Sequence, residues 1–102
     1  MKNFFLVLIL FFSINVVFSN DIILLIDNGQ FEAAEKQIKS KLNSTPNDLN
    51  TLILKGILIT KSDSPQNGLN FFLNLETKFK NTPEILNNIG VIYSLLGNTP
   101  KA

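Results

Sequence analysis

The sequence contains no histidine, no cysteine and no tryptophan, and all nine of its basic residues are lysine. Without cysteine, the chain can form no disulfide, has no thiol nucleophile and cannot carry a lipid-modified cysteine. Without histidine, it also lacks the commonest general base and the usual nitrogen ligand of zinc. The acidic residues are scattered, and there is no glycine-rich phosphate loop. These absences predict a protein that is not an enzyme and that holds no metal and no cofactor.

Excess charge of either sign is also missing. The chain has nine lysines and eight acidic residues, which gives a formal net charge of +1. Proteins that bind nucleic acids or anionic membrane surfaces usually concentrate positive charge on one face. We therefore expect no nucleic-acid partner and no electrostatic attraction to a membrane.

The chain begins with a basic residue and a long apolar run. Lys2 precedes an unbroken apolar stretch from Phe4 to Phe12. Val17 and Ser19 then occupy the two positions that a signal peptidase reads before a cut at Asn20. A basic start, a short apolar centre and such a cleavage site are typical of a secretory signal peptide.

This pattern predicts two parts, a signal peptide over residues 1–19 and a helical domain over residues 20–102. The mature protein is then expected in the periplasm or outside the cell. The alternative is an uncleaved N-terminus that anchors the protein in the membrane, although the apolar run is shorter than the roughly 20 residues of a comfortable span.

Residues of similar size recur along the chain with one fixed spacing. A shift of the sequence that places Leu25 on Ile59 also places Ile59 on Tyr93, and we call this spacing the repeat period. One set of matching positions is large and apolar, and two others hold small residues. A recurring period of about 34 residues indicates a repeat architecture. The matching positions are Leu25, Ile59 and Tyr93; Leu52 and Leu86; Gly56 and Gly90; and Ala34, Gly68 and Ala102.

Apolar spacing and turn signals divide the chain into five helices. Ser64 with Pro65, and Thr82 with Pro83, are typical helix starts, and Gly97 is a typical left-handed stop. Asn-Gly and Ser-Thr-Pro sequences mark turns between helices. The predicted helices cover residues 21–28, 30–42, 48–61, 64–79 and 82–97.

The recurring small residues have a packing role in this interpretation. Glycine inside a helix costs about 0.5–1 kcal/mol relative to alanine, so its recurrence needs a reason. We expect close helix crossings where Gly56 faces Gly68 and where Gly90 faces Ala102.

These residues resemble the tetratricopeptide repeat (TPR), whose unit has the same length as the repeat period. The resemblance covers residues 21–102 and is strongest in the unit that starts at Pro83. The middle unit departs from the pattern, because Lys55, Asp63 and Lys80 replace a leucine, a glycine and a proline. The matching residues are Gly29, Phe31, Ala34, Ile38 and Pro46; Leu52, Gly56, Ile59, Gly68 and Phe72; and Leu86, Ile89, Gly90, Tyr93, Gly97 and Ala102.

The resemblance implies an all-α fold of antiparallel helix-turn-helix repeats, an α-solenoid with about five helices after an N-terminal signal helix. Ala102 falls early in the second helix of its unit, so the last repeat is incomplete. Repeat units bury their apolar faces only by stacking. We therefore expect a longer repeat protein of which this is the N-terminal piece, or else a short protein that covers its open face by self-association.

The resemblance also implies where a partner binds. TPR arrays hold extended peptides on the surface formed by the first helix of each unit. Some members hold a peptide's terminal carboxylate with a lysine and an asparagine at two positions of this groove. Here those two positions hold Ile53 and Ile57 in one unit and Asn87 and Val91 in the next, so that carboxylate site is absent. The mixture of apolar and amide side chains favours an apolar peptide or a partner's helix, although packing alone also explains the isoleucines and the valine. The candidate groove residues are Asn50, Ile53, Ile57, Thr60, Glu84, Asn87, Val91 and Ser94.

Two functions remain open from the sequence. The first is an exported scaffold of the cell envelope that binds a protein or peptide partner. The second is a targeting arm for an envelope enzyme whose catalytic domain lies beyond residue 102.

Overall fold

The structure, a computed structural model, describes residues 19–97. That part of the chain contains five α-helices and no strand, which confirms the predicted all-α class. The predicted signal peptide lies outside the described residues, apart from its last residue, as does Ala102. The helices are α1 (Ser19–Asp27), α2 (Phe31–Ser44), α3 (Leu49–Ser62), α4 (Pro65–Lys78) and α5 (Pro83–Leu95).

Side-chain caps fix the starts of α3 and α4. The Asp48 carboxylate accepts hydrogen bonds from both the backbone N–H (3.1 Å) and the hydroxyl of Thr51. The Thr51 hydroxyl bond, followed by the backbone bond, holds the pKa of Asp48 below its usual value. At α4, the Ser64 hydroxyl accepts from the Asn67 N–H at 3.1 Å, and Pro65 is the first helical residue, as predicted.

The predicted cap at α5 is wrong in its chemistry. Thr82 occupies the cap position, but its side chain makes no capping hydrogen bond. Its hydroxyl donates instead to the Phe79 carbonyl oxygen at 2.8 Å. The hydroxyl therefore satisfies a carbonyl at the end of α4, and α5 begins on Pro83 without a side-chain cap.

Glycine follows two of the helices, Gly97 as the predicted left-handed stop and Gly29 in the predicted Asn-Gly turn. Gly29 follows α1 with φ of +78°, and Gly97 follows α5 with φ of +75°. A residue with a side chain is strained in this left-handed region, whereas glycine is not. Asn81, between α4 and α5, adopts φ of +62°, which asparagine tolerates better than most residues.

Each helix contacts the helix that follows it in sequence, and each odd-numbered helix also contacts the next odd-numbered helix. Thus α1 packs on α2 and α3, and α3 packs on α2, α4 and α5. Short turns make successive helices antiparallel, so α1, α3 and α5 run in the same direction. This is the packing of a helical repeat, with one layer of odd-numbered helices and one of even-numbered helices.

The buried side chains form two apolar clusters that meet on α3. The first cluster joins α1, α2 and α3 through residues such as Ile22, Ile38 and Leu58. The second joins α3, α4 and α5 and is centred on Phe72, which is completely buried. Ile57 packs against both clusters, so α3 is the element that connects the two halves.

The small residues of α3 and α4 lie at a close helix contact, but not as the predicted glycine pair. A Cβ placed on Gly56 would come within 2.6 Å of Cε2 in the Phe72 ring. A Cβ on Gly68 would lie 2.9 Å from the Thr60 Cα. Each glycine therefore opposes a residue with a side chain on the other helix, and this corrects the expectation that Gly56 faces Gly68.

The second predicted crossing, between Gly90 and Ala102, lies partly outside the described residues. Among the residues that the structure describes, nothing comes within 4 Å of a Cβ placed on Gly90. Leu86, one turn earlier on α5, is half exposed. In the described part of the chain, this face of α5 is therefore uncovered.

Candidate functional site

One surface of the molecule extends across the odd-numbered helices, and the residues that form it recur along the chain once per repeat period. It consists of one pair of residues per helix, and the two members of each pair are four residues apart, so they lie on the same side of the helix. We call this surface the odd-helix face. Its pairs are Ile23 and Asp27 on α1, Ile57 and Lys61 on α3, and Val91 and Leu95 on α5.

Two contacts show that these pairs are adjacent in space. Lys61 Nζ lies 3.7 Å from Asp27 Oδ1, which brings together the last turns of α1 and α3. Since Ile23 and Ile57 each lie one turn before these charges, they occupy equivalent places on neighbouring helices. On the other side, Ile57 and Val91 line the same cavity between α3 and α5.

The cavity between α3 and α5 has a volume of about 270 Å³ and mainly apolar walls. Val91 is 51% exposed and Leu95 is 62% exposed, although both are aliphatic. Exposed aliphatic side chains around a concave, apolar site mark a surface that can bind another molecule. The lining residues are Ile57, Thr60, Lys61, Asn88, Val91, Ile92 and Leu95.

The structure brings together three of the eight groove residues expected from the sequence. Ile57, Thr60 and Val91 line the cavity between α3 and α5. Ile53 does not line it, because its side chain is buried in the second apolar cluster, as the packing interpretation allowed. The other four are exposed on α3 or α5 but line no part of this cavity: Asn50, Glu84, Asn87 and Ser94.

Other residues of the site were not among the sequence candidates. Ile23, which is 40% exposed, precedes Ile57 by one repeat period, and Ile57 precedes Val91 by another. Ile23 could therefore have been identified from the sequence by counting back one repeat period from Ile57. Lys61 and Leu95 are also related by the shift, and each follows an aliphatic candidate by one helical turn.

The odd-helix face carries little net charge. Asp27 and Lys61 form an ion pair in which both side chains are about half exposed. Such exposed pairs contribute little to stability and stay available to solvent. The apolar groups therefore provide most of the surface that a ligand would cover.

Two other kinds of site have no support in residues 19–97. That segment contains no group of three or more acidic, histidine or cysteine side chains that could hold a metal ion. Within the same residues, no helix has the length and hydropathy needed to cross a membrane.

No protein-family model, no curated protein and no solved structure matches the chain.

Proposed function

We propose that this protein is an exported scaffold whose TPR-like helical repeats bind a segment of a protein partner on the odd-helix face. The proposal rests on one observation above all. Ile23, Ile57 and Val91 recur once per repeat period, and all three remain at least partly exposed on contacting parallel helices. Core packing alone would bury such residues completely, whereas binding of an apolar ligand requires part of each to stay accessible. Ile57 meets this condition because it remains partly exposed although it also packs against both apolar clusters.

The spacing of the helices suggests the form of the bound segment. Packed helices lie about 8–10 Å apart, so the three aliphatic residues are expected to extend over about 18 Å. A polyproline II segment rises about 3.1 Å per residue and turns once every three residues. Every third side chain then points the same way at intervals of about 9 Å, which matches one helix per turn of the peptide. The expected ligand is a segment of about seven residues with an aliphatic side chain at every third position.

Synthetic peptides test this directly. The first is a fluorescein-labelled peptide of seven residues with leucine at the first, fourth and seventh positions and glutamine elsewhere. The comparison peptide has the same composition, with leucine at the first, third and fifth positions. Fluorescence anisotropy with the 102-residue chain should show tighter binding of the first peptide.

Two matched variants locate the binding site. Val91→Asp places a charge in the apolar cavity and should weaken binding of the first peptide about tenfold, or roughly 1.4 kcal/mol. Leu73→Asp alters an aliphatic residue of α4 that is 42% exposed and lies off the odd-helix face, so binding should not change. Equal affinity for the two peptides, or equal effects of the two variants, would refute the proposed site.

Export is tested separately by the mass of the mature chain. A signal peptide cut before Asn20 gives a mature protein that starts at that residue. A mature protein that still starts at Met1 would instead support the membrane-anchored alternative. Neither result affects the peptide-binding proposal.

A further inference from the structure

A second cavity lies on the opposite side of α3 from the odd-helix face. Its volume is about 490 Å³, within the range of sites that hold a ligand or a few side chains of a partner. The α3 residues that line it are about 150° around the helix from those that line the first cavity. Its apolar lining residues are Phe31, Ile38, Leu42, Leu58 and Ile59.

Charged side chains border this cavity with opposite signs at its two ends. Because α2 and α3 are antiparallel, the first turn of α2 lies beside the end of α3. Glu32 and Asp63 therefore lie together at one end of the cavity. Lys39 of α2 and Lys55 of α3 lie beside each other at the other end, about two helical turns away. Glu35 lies between the two ends, with its carboxylate 3.9 Å from Lys39 Nζ.

Two of these groups are positioned by α4. The Asp63 carboxylate accepts a hydrogen bond of 2.7 Å from the side-chain amide of Asn67. Lys55 Nζ lies 5.8 Å from the centre of the Phe71 ring, close enough for a cation–π contact. An acid at one end and a lysine at the other are thus held by contacts with the next helix.

The distance between the two ends matches two turns of a helix. Glu32 and Lys39 are seven residues apart on α2, which is about 10.5 Å along the axis. Two charged residues seven apart on a second helix have the same separation and lie on the same side of that helix. Apolar residues three and four positions after the first charge would point into the cavity between them.

We infer that this cavity binds an amphipathic helix of a protein partner that carries a basic and an acidic residue seven positions apart, with apolar residues between them. The basic residue pairs with Glu32 and Asp63, and the acidic residue pairs with Lys39 and Lys55. This is binding of a helix in a groove, with orientation set by charge. It is a separate surface from the odd-helix face and does not depend on the function proposed for that face.

The test uses four synthetic helical peptides that share leucines at the two central positions. Their terminal charges, seven residues apart, are Lys and Glu, Lys and Lys, Glu and Glu, or two uncharged glutamines. Fluorescence anisotropy with the 102-residue chain should show the Lys and Glu peptide binding about threefold to tenfold more tightly than each of the others. This preference should decrease at high salt because exposed charges are screened.

A charge reversal at one end makes the test independent of folding. The double variant Glu32→Lys with Asp63→Lys makes both ends of the cavity basic, so the preferred peptide should change to the one with two Glu residues. A loss of folding cannot produce such a switch. Lys78→Gln alters an exposed lysine of α4 that does not line the cavity and should leave the order of the four peptides unchanged.

Three results would overturn the inference. They are equal binding of the four peptides, an unchanged preference in the double variant, and a change of preference caused by Lys78→Gln. Val91→Asp distinguishes the two surfaces, because it should weaken the peptide of the odd-helix face and leave the helical peptides unaffected. Sensitivity of the helical peptides to Val91→Asp would place them on the odd-helix face and also contradict the inference.

Discussion

Adding a single methyl group to Gly56 should destabilise the protein, whereas the same change at Gly90 should stabilise it. Both glycines lie inside helices, at places that are equivalent in the repeat period. A Cβ at Gly56 would be 2.6 Å from one carbon of the Phe72 ring and 2.8 Å from another. Phe72 is fully buried in the second apolar cluster, so any displacement of its ring disturbs the packing of that cluster. A Cβ at Gly90 meets no atom of residues 19–97 within 4 Å.

The magnitude follows from two opposing effects. Replacing glycine by alanine inside a helix contributes about 0.5–1 kcal/mol of stability through backbone entropy. Overpacking a buried contact costs about 1–3 kcal/mol. Because the approach to the Phe72 ring is so close, the overpacking cost at Gly56 is expected in the upper half of its range, about 2–3 kcal/mol. Gly56→Ala should therefore lower the free energy of unfolding by about 1–2.5 kcal/mol, and Gly90→Ala should raise it by about 0.5–1 kcal/mol. For a domain of this size, each kcal/mol corresponds to about 4–8 °C in Tm.

Urea unfolding followed by circular dichroism at 222 nm measures both variants against the parent. A third protein, Gly56→Ala with Phe72→Leu, tests the cause, since a smaller side chain at 72 relieves the clash. The double variant should lose less stability than the sum of the two single changes. If Gly56→Ala is as stable as the parent, or if the two changes are simply additive, the Phe72 ring does not lie against Gly56 and the α3–α4 packing described above is wrong.

Two further predictions concern the same helices. Gly68→Ala should lower the free energy of unfolding in urea by about 1–2.5 kcal/mol after the same helix gain is subtracted, because the added Cβ would lie 2.9 Å from the Thr60 backbone, which cannot rotate away. A free energy of unfolding equal to that of the parent would contradict the close contact. Asp48→Asn should reduce the loss of stability in acid. The folded-state pKa of Asp48 is lowered, so the stability that its carboxylate contributes is present above about pH 4 and disappears as the pH falls through the folded-state value. Melts from pH 7 to pH 2 should therefore show a smaller decline in Tm for the variant than for the parent.

The helices were predictable because their signals are local. Apolar spacing, the Ser-Pro start at Ser64 and the glycine stop at Gly97 each act within one or two turns. The chemistry at Thr82 was not predictable in this way. Its hydroxyl has two possible partners, an amide of α5 and a carbonyl at the end of α4, and the geometry of the turn selects the carbonyl.

The partners of the glycines required a different argument from the repeat period. The period relates equivalent positions in different units but does not state which residues meet across one antiparallel pair of helices. Distance from the turn gives that relation: Gly56 and Phe72 are each eight residues from Ser64, and Thr60 and Gly68 are each four. This symmetry about the turn identifies the observed contacts, and it is visible in the sequence.

The groove residues were only partly predictable for a related reason. A position in the repeat defines a side of the helix, but burial depends on what covers that side. Ile53 and Ile57 are one turn apart on α3, yet Ile53 is covered by the second apolar cluster while Ile57 also reaches the cavity. The cavity beside α2 was not foreseen, because its charged border resembles an ordinary solvated helix surface until the antiparallel arrangement places Asp63 beside Glu32.

The contact of Ile57 with both apolar clusters has a consequence for how the protein unfolds on heating. If either apolar cluster comes apart, Ile57 is exposed on that side and its packing against the other cluster is weakened. The unfolding of α1 and α2 is therefore coupled through α3 to the unfolding of α4 and α5. Cooperativity in this short stack then depends on its middle helix. A ligand held on either side of that helix would protect its amides from exchange with solvent and would slow the opening of the entire array.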